Sequence, residues 1–471
     1  MSKLAKNTAI YAIGDIVPKL LNLITFPVLT SNLSTADFGI INYINSIEAF
    51  LTIFTFLGLK TYYLVHYYKV KTEEDKKKLL GNLSIFIVAF NILVTSIMMI
   101  CGSQIFAAIG GDDITFYPYI SLGVLCNFFS ILAVLPGALY RVQENPLPLT
   151  IINAIKGLLI MILTCIFVIK EPSAITVLNI KLIITAIFGV LFLYITSKNA
   201  ILKFDLNQIK LALAFSLPLI PGDAAYYLSS MSDRILIEKY ISAESLGVYS
   251  MAATLTGMLN ILAYGAYKAF EPFFFKTYGT PSFVTNFKKV RELLLYILLP
   301  LGLCLAAYSK EVIRLFSTSG YFEAYQYVPA LTLGVILSAI SCMYSTILTV
   351  ESKTKTCAAI SIICAGLSVF INVILLPKIG IWAAAIANIV IYLVTLYASK
   401  YFVNFKVKSI KSVISVLLFI IFVFITNFLI SVDNIMMSLL YKSIFVITYL
   451  IILSAMFRIT PLRVVNLLVK K

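Results

Sequence analysis

Apolar runs of about 20 residues, separated by short polar connections, recur from one end of the chain to the other. A run of that length crosses the roughly 30 Å hydrocarbon core of a bilayer as an α-helix, which satisfies its own backbone hydrogen bonds there. The pattern predicts fourteen spans. Six lie near residues 8 to 30, 39 to 63, 82 to 101, 116 to 140, 149 to 169 and 175 to 197. Six more lie near 211 to 232, 246 to 268, 290 to 308, 327 to 350, 358 to 376 and 380 to 402, and two remain near 412 to 430 and 437 to 457. The longest polar stretches, near 64 to 81 and 269 to 289, leave no room for a separate soluble domain.

The polar residues inside these spans repeat. A shift of 208 residues lays Gly14-Asp15 on Gly222-Asp223, Ser34 on Ser242, Gly39 on Gly247 and Lys60 on Lys268. Residues 8 to 62 hold eight identities at this shift, against roughly four expected by chance. At a shift of 211, Pro118, Leu122-Gly123-Val124 and Ser130 fall on Pro329, Leu333-Gly334-Val335 and Ser341. Six spans per half is an even number, so both halves start on the same side of the membrane. They are then parallel repeats, with a substrate path expected where they meet. The expected fold class is an all-α polytopic membrane protein of about 14 transmembrane helices. It divides into a first six-helix lobe (1–204), a second (205–405), and helices 13 and 14 with a basic tail (406–471).

Helical spacing gathers polar residues into stripes on four spans. Span 1 aligns Tyr11, Asp15, Lys19 and Asn22, and span 2 aligns Asn45, Glu48, Thr52 and Thr55. Span 7 aligns Asp223, Tyr227, Ser230 and Arg234 after a Pro218-x-x-Pro221 break. Span 8 aligns Thr256, Asn260, Tyr264 and Tyr267, with Lys268 adjoining. Ionisable residues at membrane depth are costly and mark function by default. The candidate cavity residues are therefore Asp15, Lys19, Glu48, Lys60, Lys156, Asp223, Arg234, Asn260, Tyr264 and Lys268. Lys60, Lys181 and Lys442 lie near span ends, where lysine snorkels to the interface as readily as it lines a cavity. Asp15 and Lys19, four apart, can also neutralise each other.

Composition narrows the classes. With 61% hydrophobic and 12% charged residues and a mean hydropathy of +0.98, the chain is no ordinary soluble globule. The net charge of +16 is spread as the positive-inside rule requires, not as nucleic-acid binding would. Lys69, Lys71, Lys76, Lys77 and Lys78 share one loop, and Lys288, Lys289 and Arg291 share another. Loops 102 to 115 and 431 to 436 carry no Lys or Arg. Both termini are expected in the cytoplasm. The first span carries Asp15, Lys19 and two prolines, so a cleaved signal peptide is not expected. Seven cysteines without a Cys-x-x-Cys and a single histidine, His66, argue against disulfide frameworks and metal sites; His66, among tyrosines, reads as an interfacial anchor. There is no phosphate-binding Gly-x-x-x-x-Gly-Lys-Ser/Thr loop, so no nucleotide cofactor is expected.

A cavity holding both signs suits an amphiphile with an anionic head: lysine serves phosphate as a point charge, and carboxylates serve a coupling cation or proton. Several short motifs point the same way. They are Lys6-Asn7-Thr8, Leu29 with Leu33-Ser34 and Phe38-Gly39, Tyr140-Arg141-Val142-Gln143, Ser232-Asp233-Arg234 and Gly247-Val248-Tyr249-Ser250. Leu376-Pro377-Lys378-Ile379-Gly380 then runs into Ala383-Ala384-Ala385-Ile386-Ala387. In this order the chain resembles the Wzx-type lipid-linked oligosaccharide flippases of the MATE-like multidrug/oligosaccharidyl-lipid/polysaccharide exporter superfamily.

That resemblance implies two six-helix lobes forming a V around a cavity lined by helices 1, 2, 7 and 8. It implies flipping of undecaprenyl-diphosphate-linked oligosaccharide units to the outer leaflet of a bacterial cytoplasmic membrane by alternating access. The coupling ion would be H+ or Na+, and the product O-antigen or capsule. The implied partners are the polyprenyl-diphosphate-linked glycan, membrane lipids, a polysaccharide polymerase and a chain-length regulator, with no nucleic acid. Helices 13 and 14 are shared with only some relatives, in which the pair forms a lipid-tail groove. Two other readings stay open: a multidrug antiporter of the same superfamily, and a membrane glycan polymerase or ligase. The first needs an acidic cavity; the second usually needs a long outer loop, absent here.

Overall fold

A computed structural model describes residues 3–111, 113–429 and 435–459. Those residues form seventeen α-helices and no strand, so the chain is an all-helical polytopic membrane protein. It forms two compact units, Met1–Gly247 and Val248–Lys471. The first holds α1 (Lys3–Asn32), α2 (Thr35–Phe56), α3 (Leu59–Tyr67), α4 (Glu73–Ile109), α5 (Ser121–Ile131) and α6 (Val134–Val142). It continues with α7 (Pro146–Lys170), α8 (Ala174–Asn199), α9 (Leu206–Ser216), α10 (Ile220–Tyr240) and the first turn of α11 (Ala243–Thr277). The second holds the rest of α11, then α12 (Phe283–Phe316), α13 (Val328–Val350), α14 (Thr354–Ile379), α15 (Trp382–Phe402), α16 (Ile410–Phe424) and α17 (Ile435–Phe457).

Twelve helices among the described residues are long and apolar enough to cross a membrane. The other two predicted spans appear differently. Span 7 is the pair α9 and α10, bent by 49° at the Leu217–Leu219 turn that Pro218 imposes. Span 1 is α1, whose segment Leu20–Asn32 is a shorter apolar helix. Two spans read as continuous are divided. Leu57 (φ 53°) and Gly58 (φ 66°) are both left-handed and separate α2 from α3, with Gly58 lying against Ser216 of α9. A tight turn at Leu132 and Ala133 separates α5 from α6. The short pieces α3, α6 and α9 pack with the start of α4 around a common core that includes Leu59, Tyr63, Leu83, Leu135, Ala138 and Ala212. His66 sits there stacked on Tyr62, with ring centroids 3.9 Å apart.

Helix starts are fixed by side-chain caps. Ser34 Oγ accepts from Asp37 N (3.0 Å), Thr72 Oγ1 from Asp75 N (3.1 Å), and Ser242 Oγ from Ser245 N (3.1 Å). Thr72 precedes three acidic residues, which suit the positive end of the helix dipole. Carboxylates from other elements cap further backbone donors. Asp37 accepts from Ala174 N (2.8 Å), Asp113 from Ala243 N (2.8 Å), and Glu238 from Gly111 N (2.7 Å). Asn82 of α4 ties down the start of α9, donating to Asp205 O (3.0 Å) and accepting from Asp205 N (3.0 Å).

The 208-residue repeat reappears as a reciprocal contact. A β-carbon on Gly39 would stand 2.3 Å from the carbonyl oxygen of Ala243, and one on Gly247 would stand 1.8 Å from that of Thr35. Thr35 and Ala243 are themselves 208 apart. Each glycine thus meets the counterpart of its twin's partner, an arrangement in which small residues let two helix backbones touch.

In the second unit, α17 is bound along α12 by polar pairs in antiparallel register. Tyr296 pairs with Ser454 (2.9 Å), Tyr308 with Ser443 (2.7 Å), and Glu311 with Lys442 (2.6 Å). Arg291, almost fully buried, donates to Lys408 O (2.8 Å) and Tyr344 Oη (3.0 Å), fixing the approach to α16. Lys442 is only 3% exposed, so the snorkelling expectation fails for it: Glu311 supplies a counter-charge inside the protein.

Candidate functional site

The first unit encloses one polar cluster at membrane depth. The α2 stripe read from the sequence faces α5 and α8. Glu48 forms an ion pair with Lys181 of α8 and accepts a further hydrogen bond from Ser130 Oγ of α5 (3.2 Å). Lys181 also donates to Asn45 Oδ1 (2.7 Å). Asn127 of α5 braces the same stretch of α2: its amide donates to Glu48 O (3.1 Å) and Thr52 Oγ1 (2.7 Å), and its oxygen accepts from Thr55 Oγ1 (3.1 Å). Asn91 of α4 closes the chain by donating to Thr55 O (3.0 Å). Asn45, Glu48, Asn127, Ser130 and Lys181 share partners in this way, which makes the cluster a mutually dependent network.

Lys156 stands beside it on α7. It lies within Coulombic range of both Glu48 and Lys181, yet forms neither a hydrogen bond nor an ion pair among the described residues. It sits about ten residues from the start of α7, roughly 15 Å at about 1.5 Å per residue, or half the depth of a roughly 30 Å core. With Glu48 paired to Lys181, Lys156 has no counter-charge of its own among the described residues.

Helix α1 runs beside α7. Gly14 lies against Thr150 and Gly157 against Leu21, the same offset of 136 residues in both contacts, so the helices are parallel. This register places the α1 turn holding Lys19 level with Lys156. The side chains of Asp15, Lys19 and Lys268 lie outside the described residues.

The remaining candidates lie outside this cluster. Asp223 is exposed on α10, and Arg234 lies 3.8 Å from the neighbouring Asp233. Lys60 is half-buried near the start of α3. The α11 stripe does not share one environment: Asn260 and Tyr264 are exposed, whereas Thr256 and Tyr267 are buried, Tyr267 pairing with Thr346. The structure therefore joins Glu48 with Lys156 and adds Lys181, Asn127 and Ser130, which the stripes did not single out. Lys181 is a correction, because it turns inward to Glu48 rather than outward to the interface. In the sequence it stood as a lone charge near the start of span 6, a position that suits an interfacial role as readily as an inward one.

Comparison with known proteins agrees with this fold. Residues 4–278 match the family model described as polysaccharide biosynthesis protein, and residues 218–374 match the MatE model. A protein of the Lsg locus of Haemophilus influenzae is 24% identical over 315 residues, 64% of this chain and 73% of that protein. Among solved structures, the lipid II flippase MurJ in an inward closed conformation has a TM-score of 0.77 at 15% identity, covering 95% of this chain and 98% of its own. An inward-facing multidrug resistance MATE transporter of the MOP superfamily has a TM-score of 0.67 at 12% identity, covering 83% and 97%. At those identities the two structures speak for the fold. The first family model spans more than half of the sequence, and the chain belongs to the polysaccharide biosynthesis protein family.

Proposed function

We propose that this membrane protein is a flippase for a polyprenyl-diphosphate-linked oligosaccharide, moving it from the cytoplasmic to the outer leaflet by alternating access. The observation that carries this reading is Lys156, an amine at mid-depth with no hydrogen bond or ion pair among the described residues, beside a carboxylate that Lys181 already pairs. As an ammonium it calls for an anionic ligand. The diphosphate supplies it, while the prenyl tail stays in lipid. Family membership and the likeness to a lipid II flippase support the same substrate class. In this reading the six-helix lobes are residues 1–204 and 205–405, both termini are cytoplasmic, and the membrane is a bacterial inner membrane. The product is O-antigen or capsule, made with a polymerase and a chain-length regulator, and transport draws on an H+ or Na+ gradient.

The match to the MatE model favours a second reading, a cation antiporter. One experiment separates the two. Deleting the gene and supplying Lys156→Met in its place should leave lipid-linked oligosaccharide in the inner leaflet and little surface polysaccharide. Normal surface polysaccharide in the deletion strain, together with restored drug resistance on expression in a pump-deficient host, would overturn the flippase reading.

A further inference from the structure

We infer that Lys181 is a second, stored cation of the anion site, and that Glu48 holds it in reserve and competes with the diphosphate for it. This rests on the flippase reading above and deepens it. In the structure both carboxylate oxygens of Glu48 are engaged by the protein, one by Lys181 and the other by Ser130. The place a coupling cation would take at Glu48 is thus held by a tethered ammonium. The tether is long and flexible, because lysine carries its charge on a four-carbon stem.

Lys156, on α7, lies within electrostatic reach of Lys181 on α8. An arriving diphosphate that approaches Lys156 therefore comes within reach of Lys181 as well, and offers it more negative charge than a single carboxylate can. When Lys181 transfers, Glu48 keeps the Ser130 hydroxyl, and the α2 backbone around it stays braced by Asn127. The helix does not have to move for the cation to change partners. Glu48 thereby limits affinity, and a transported ligand must be released as well as bound.

The test uses the full chain in lipid nanodiscs, with inorganic pyrophosphate and farnesyl diphosphate as probes and calorimetry as the readout. Lys181→Met and Lys156→Met should each weaken pyrophosphate binding by about tenfold or more, the usual weight of a hydrogen bond to a charged group. Glu48→Gln should instead strengthen it several-fold, by freeing Lys181. Because Lys181→Met alone strands Glu48, the double variant Glu48→Gln/Lys181→Met is measured beside it; it should bind as weakly as the single lysine variant while unfolding like wild type.

Loss of binding in Lys156→Met with no change in Lys181→Met and Glu48→Gln would overturn the inference and leave the flippase reading standing. Weaker binding in Glu48→Gln would also overturn it, by making Glu48 part of the ligand's support. If wild type binds neither probe, both readings fall together. Tighter binding of farnesyl diphosphate than of pyrophosphate supports a lipid-linked head group; equal affinities would assign the site to free phosphates and overturn that source.

Discussion

Helices α2 and α11 carry the same serine cap and the same contact glycine, 208 residues apart, and each glycine meets the counterpart of its twin's partner. One turn of similarity later they diverge. Glu48, which gathers Lys181, Ser130 and Asn127, is matched by Thr256, whose hydroxyl only returns to Ala252 O and Ala253 O of its own helix (both 3.1 Å). Ser130 donates across to Glu48, while its counterpart Ser341 donates to Ser338 O on its own helix (2.8 Å). The repeat has kept the backbone contact and given the membrane-depth charge to one half. Packing geometry and chemistry have been inherited separately.

The largest test addresses the shared part. Gly39→Leu and Gly247→Leu should each cost more than about 3 kcal/mol, because the new side chain meets backbone carbonyls that cannot yield. Thermal unfolding of the purified protein measures it. Similar losses at both positions sharpen the equivalence, and tolerance at either one breaks it.

The next test addresses the divergent part. Glu48→Leu leaves Lys181 without its counter-charge and should cost about 2 to 3 kcal/mol, somewhat below the range for a fully buried pair because Lys181 keeps 26% of its side-chain surface. Thr256→Val should cost less than about 1 kcal/mol, since its hydroxyl serves only its own helix. Equal losses in the same unfolding assay would erase the asymmetry.

The smallest effect is acid sensitivity. Burial pushes the Glu351 carboxyl up, but the Lys353 ammonium, the Tyr278 hydroxyl and the Asn404 N–H outweigh it and hold it below the usual carboxylate range. A depressed folded value means that this tie contributes in full above the unfolded carboxylate value, about 4.3, and fades as pH falls through the lower folded one. Its counterpart in the first half, 211 residues earlier, is Tyr140. Hydrogen exchange at Asn404 should therefore accelerate below about pH 4 with no matching change near Tyr140, and Glu351→Gln should remove the pH dependence.

The spans were legible because a bilayer demands runs of about 20 apolar residues, and nothing else in the chain imitates them. The bend at Pro218 was legible for its missing backbone donor. The break after α2 was not: Leu57 gives no sign of a left-handed backbone, and a lone Gly58 in an apolar run is tolerated in a helix. The α2 stripe showed which face mattered but not what it faced. Glu48 and Lys181 are 133 residues apart, and nothing in the pattern of either helix says which lysine closes the pair. The α11 stripe showed less than the α2 stripe, because spacing gave no sign that Thr256 and Tyr267 are buried while Asn260 and Tyr264 are exposed.

The ion pairs Glu48–Lys181 and Glu311–Lys442 also set a timetable. Lys181 follows Glu48 by 133 residues, and Lys442 follows Glu311 by 131. At a synthesis rate of about 5 to 20 residues per second, each acid is made roughly 7 to 26 s before its cation. For that interval it has to be kept without its counter-charge, in the water of the insertion machinery. The second wait ends only when α17, the last helix among the described residues, is made. A ribosome that stops short of Lys442 leaves behind a chain whose α12 still holds an acid with no base to meet it.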